Sequence, residues 1–107
     1  MPFEERYGWT AQVGSAPLRE PEENRHPVLR LEKGELWAET HGERGIDPTI
    51  MYERALIEAL RLELSRAEEG SAAHTTITES LRRAVMEEKV SQQMRREAAE
   101  AAAAGVN

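Results

Sequence analysis

Three histidines, His26, His41 and His74, are the side chains best suited to proton transfer near neutral pH or to metal ligation. None stands in an HxxxH or HExxH spacing. His41, Glu43 and Asp47 fall in one short stretch and offer the donor atoms of a divalent metal site. A polar loop accounts for the same three residues, and no metal site is expected. The chain has no cysteine, which excludes disulfides, zinc–thiolate centres and thiol nucleophiles. Hydroxyls cluster at Thr75, Thr76, Thr78 and Ser80, where helix capping already explains them. Carboxylates are plentiful, but nearly all fall in helical charge patterns beside an arginine, and none is singled out for acid–base work. P-loop, GxGxxG and GxSxG patterns are absent from the sequence. The expectation is a chain without catalytic residues or cofactor, and not an enzyme.

The densest basic spots are Arg82-Arg83 and Arg95-Arg96. Against them stands a net charge of −6, from 14 basic and 20 acidic residues. That balance disfavours a general nucleic-acid coat and adhesion to an acidic membrane. No apolar run approaches the roughly 20 residues of a membrane span. The start, Met1-Pro2-Phe3-Glu4-Glu5, lacks the basic end and apolar stretch of a signal peptide. Arginine outnumbers lysine 12 to 2, and 15 residues are alanine. Both biases follow from GC-rich codons, so the expected setting is the cytoplasm of a bacterium, or a phage particle assembled there.

A length of 107 residues allows one small domain. The fold expected is α+β: a small antiparallel sheet over 7–13 and 28–40, then a two-helix antiparallel hairpin with the sheet packed at one end. The β region spans 7–40 and includes a flexible connector, 15–27, with three prolines and an acidic cluster. The helical hairpin spans 47–105. Tyr7, Trp9, Ala11 and Val13 alternate with small or polar residues and so share one strand face. A two-residue turn at Lys33-Gly34 sets Leu31 opposite Leu36, Leu29 opposite Ala38 and Arg30 opposite Trp37. Glu32 opposite Glu35 is the one conflict in that register.

Asp47-Pro48 opens the first helix, about 48–69, with a side-chain cap and a proline in the first turn. Ile50, Ile57, Leu60, Leu64 and Ala67 form its apolar stripe, and Leu56 widens it. Arg54, Glu58, Arg61 and Ser65 are its wet face, and Glu69-Gly70 ends it. Thr76 and Glu79 make a capping box for the second helix, about 76–104. There the apolar stripe changes face. Ile77, Leu81, Ala84 and Val85 lie on one side, and Met86, Val90, Met94 and Ala98 on another.

Locally, Thr76 to Val85 resembles the second helix of ribbon-helix-helix proteins, a family of small bacterial repressors and antitoxins. The resemblance covers about residues 50–90. It implies a DNA-binding dimer in which Arg30 and Lys33, or strand 35–40, face DNA. Arg82 and Arg83 are the further basic candidates for nucleic-acid contact. A glycine-rich loop between Thr40 and Asp47, and a first helix nearly twice the family's usual length, depart from that pattern. The leading expectation is instead a non-catalytic protein-interaction module that self-associates or docks into a larger assembly. Its expected interface residues are Leu62, off its stripe with Ala55 and Ala59, and Met86, Val90 and Met94. Methionine suits adaptable contact surfaces.

Overall fold

The computed structural model describes residues 7–16 and 25–105. Three strands, β1 (Thr10–Ala16), β2 (His26–Lys33) and β3 (Leu36–His41), precede two helices, α1 (Pro48–Arg66) and α2 (Ala72–Gly105). The strands form one antiparallel sheet in the order β1-β2-β3, and the fold is α+β.

The hairpin turns at Gly34-Glu35, one residue later than the pattern predicts. Gly34 has φ +60°, and no described non-glycine residue has positive φ. The turn therefore carries its glycine in the first central position, as a type II′ hairpin requires. Lys33 pairs with Leu36, Leu31 with Ala38, Arg30 with Glu39 and Leu29 with Thr40. This register differs from the expected one by two residues, so every side chain keeps its face and only partners change. The shift sets Glu32 across from Trp37, and the Glu32–Glu35 conflict disappears.

β1 begins at Thr10, because Gly8, with φ +80°, redirects the chain before Trp9. Tyr7 thus packs on the core from outside the strand. The ladder with β2 continues to Ser15–Pro27 and Ala16–His26, so both ends of the predicted connector are strand. Residues 17–24 of that connector lie outside the described residues. Val13 shares the helix-facing side of the sheet with Ala11 but stays exposed. It sits on the edge strand, and α1 lies across β2 and β3.

Asp47 caps α1, its carboxylate accepting the Thr49 N–H at 2.8 Å. Arg54, Glu58, Arg61 and Ser65 form the exposed arc, and the rest of the helix is covered from two directions. Met51, beneath Gly42, and Glu63, bonded to Lys33, mark the sheet side. Ala55 and Ala59 fall between them at about 100° per residue and are fully buried. They belong to the core, contrary to their expected place beside an outward Leu62, which is half-buried at its margin. Because Met51 and Glu63 both reach the sheet, the sheet runs along α1 rather than sitting at one end of the hairpin. Gly42 makes that approach possible, since a Cβ there would lie 2.7 Å from the Met51 sulfur.

α1 ends at Arg66, where Ala67 turns to extended backbone. α2 then starts at Ala72, one turn earlier than the predicted capping box. Ser71 is the cap, its Oγ accepting the His74 N–H at 3.1 Å. Thr76 and Glu79 are interior to the helix. Thr75 and Thr78 donate to the carbonyls of Ser71 and His74, the back-bonding usual for hydroxyls inside a helix.

The largest fully buried side chains are Trp9, Leu29, Leu31, Leu56 and Leu60. The Trp9 indole N–H has no acceptor among the described residues; the ring's apolar area outweighs that cost. α2 adds buried Ala84 and partly buried Leu81 and Val85.

Candidate functional site

α1 has 19 residues and α2 has 34, or about 28 Å against 51 Å of helix. The two run antiparallel until Arg95 meets Glu53. Beyond that point Arg96 to Gly105 are all exposed. The radius of gyration, 16.4 Å, exceeds the roughly 13 Å of a compact chain this long.

The inner face of α2 follows one meridian. Ile77, Leu81, Ala84 and Val85 occupy its first half, and Glu88, Ser91 and Arg95 continue it, all buried or half-buried. The apolar residues of the second half lie elsewhere. Spaced four apart, Met86, Val90 and Met94 fall at about 180°, 220° and 260° from Ile77. They are 58%, 51% and 63% exposed. The result is a continuous apolar ridge on the side of α2 turned away from α1. Charged residues flank it: Arg83 before, Glu97 after, both exposed.

The four basic candidates do not converge. Arg30 lies on the open face of the sheet, donates to Glu32 at 2.7 Å and covers the Trp37 ring at 4.5 Å. Lys33 points to the helix side, bonded to Glu63 at 2.6 Å and to the Tyr7 carbonyl at 3.3 Å. Arg82 and Arg83 are exposed on α2.

His41, Glu43 and Asp47 do not converge either. Asp47 is engaged as the α1 cap, and His41 faces back along the sheet. His41 Nδ1 and His26 Nε2 are 2.9 Å apart, and His41 Nε2 lies 3.0 Å from a Glu39 oxygen. No group of three His, Cys, Asp or Glu among the described residues is arranged to hold a metal ion. The groove between α1 and α2 mixes Arg54, Arg61 and Lys89 with Glu58 and Glu88, and Arg61 donates to Glu58 at 3.0 Å.

Sequence reasoning missed two polar contacts beyond those of Arg30 and Lys33. One is the His26–His41–Glu39 chain, which depends on strand register. The other is Glu53, whose carboxylate is buried between the helices and meets Arg95 Nη2 at 3.4 Å. The spacing of Glu53, Ile57, Leu60 and Leu64 on one helical face carried a signal for it.

No described helix is long and apolar enough to cross a membrane. Comparison with protein-family models, curated proteins and solved structures finds no match to this chain.

Proposed function

We propose that the protein is a non-catalytic interaction module that self-associates through the outer face of α2, within a larger bacterial or phage assembly. The observation that carries this reading is the exposed ridge of Met86, Val90 and Met94. Contiguous exposed apolar side chains of this kind mark contact surfaces, and full burial of each is worth roughly 1.5–3 kcal/mol before the costs of association. Leu62, half-buried on α1, is not contiguous with the ridge and plays no part in it.

Replacing Val90 and Met94 together with Glu tests the reading. The variant is expected to keep its helix content while its mass by light scattering drops to that of one chain. A wild-type protein of one-chain mass refutes self-association, and a variant of unchanged oligomeric mass refutes its assignment to this face. The DNA-binding alternative draws less support. Arg30 and Lys33 are each held by a carboxylate, and Arg82 and Arg83 lie on a different element. A salt-sensitive DNA shift by the same sample would reverse that preference.

A further inference from the structure

We infer that the outer face of α2 pairs with a second copy of itself in antiparallel orientation, about a two-fold axis at Val90. This inference rests on the self-association reading and adds the partner's direction. The Val90 meridian carries three residues seven apart. Arg83 and Glu97 fall within about 20° of it on either side, and both are exposed. The charges at its two ends are therefore opposite in sign, with an apolar ridge between them.

Two orientations bring such a meridian onto itself. In a parallel pair Arg83 faces Arg83 and Glu97 faces Glu97, so like charges meet at both ends. In an antiparallel pair centred on Val90, each Arg83 faces the other copy's Glu97, Met86 faces Met94, and Val90 meets Val90. That arrangement is isologous, the usual symmetry of a two-chain assembly, and it repeats each attractive contact twice. Glu79, also near the meridian, then faces Ala101 rather than another Glu79. The elements of each copy leave room for it, because α1 and the sheet lie on the opposite side of α2 from Val90.

The absence of native cysteine makes single-cysteine crosslinking a direct test. Met86 and Met94 are eight residues apart, about 12 Å along the helix, too far for like positions to bridge in the antiparallel pair. Under mild oxidation, Val90→Cys alone is expected to form a covalent two-chain species. Met86→Cys and Met94→Cys are expected to do so only when mixed. Crosslinking of Met86→Cys or Met94→Cys alone, as efficiently as of Val90→Cys, would mean a parallel pair. It would overturn the orientation while leaving self-association intact. Wild-type protein of one-chain mass overturns both readings.

A second measurement avoids the cysteines. Glu97→Arg should weaken association at low salt by roughly tenfold or more, because it sets like charges at both ends. Adding Arg83→Glu should restore it. Equal affinity for all three proteins would also overturn the pairing.

Discussion

The Glu53–Arg95 pair invites an asymmetric perturbation. The Glu53 side chain is 3% exposed and that of Arg95 32%, with nitrogen and oxygen 3.4 Å apart. At that distance two unit charges attract by about 5 kcal/mol at an effective dielectric of 20. Removing a carboxylate from water costs several kcal/mol. The two terms nearly cancel, so the intact pair contributes little net stability. The cancellation fails when one partner is removed. Arg95→Ala loses the attraction and leaves the carboxylate buried, a loss of about 3–5 kcal/mol where both partners are enclosed. About 2–3 kcal/mol is expected here, because the arginine site is one-third exposed and water can reach it.

Glu53→Met removes the buried charge, keeps a similar volume between the helices and lets Arg95 turn to solvent. It should lie within about 1 kcal/mol of wild type. The double variant should match Glu53→Met, giving a coupling of about 2 kcal/mol between the sites. Urea unfolding followed by circular dichroism, at one fixed protomer concentration, measures all four proteins. If Arg95→Ala is neutral, or if Glu53→Met costs as much as Arg95→Ala, the buried-charge reasoning is refuted.

Two glycines are needed for different reasons, and substitution separates them. At Gly34 a Cβ would meet nothing within 4 Å, but φ is +60°; Gly34→Val should cost on the order of 1–2 kcal/mol from backbone strain alone, and a neutral result in thermal unfolding would place the turn elsewhere. At Gly42 the backbone is ordinary and the Cβ would strike Met51 and Ile46 at 2.7 and 2.8 Å. Gly42→Ala should cost about 1–3 kcal/mol by overpacking, and less than that when introduced into a Met51→Ala background; an equal cost in both backgrounds would show that Met51 is not the obstacle.

The strands and helices were legible in the sequence wherever one pattern admitted one solution. Asp47-Pro48 marks a helix start with two independent devices, and the cap lies there. Arg54, Glu58, Arg61 and Ser65 are exposed because a one-sided wet arc leaves the helix no other orientation. The hairpin register was less legible. A shift of two residues preserves both faces, so hydrophobicity alone cannot choose between the registers. The choice falls to Gly34, which the turn places in its first central position. The start of α2 is ambiguous in the sequence because Ser71 and Thr76 both offer a capping hydroxyl. Ser71 at the start adds another turn of helix. The core position of Ala55 and Ala59 is not legible, because a second covering layer is invisible to a pattern read for one face. Glu53 is hidden for a different reason: it lies on the same face as Ile57, Leu60 and Leu64, facing Arg95, where a charged residue interrupts the apolar stripe instead of extending it.

The position of the Met86 ridge follows from helical geometry. A straight helix has one meridian per partner. If α2 turned Met86, Val90 and Met94 towards α1, it would rotate by about half a turn. Ile77, Leu81 and Val85 would then leave the core, and Arg95 would leave Glu53 buried alone. The first loss is several kcal/mol of apolar burial, and the second strands a charge. Polar Glu88, Ser91 and Arg95 take the inner side of the same stretch. The second half of α2 thus has its apolar and polar sides reversed relative to the demands of its own domain. Burial of that ridge requires a surface that the described chain does not itself supply.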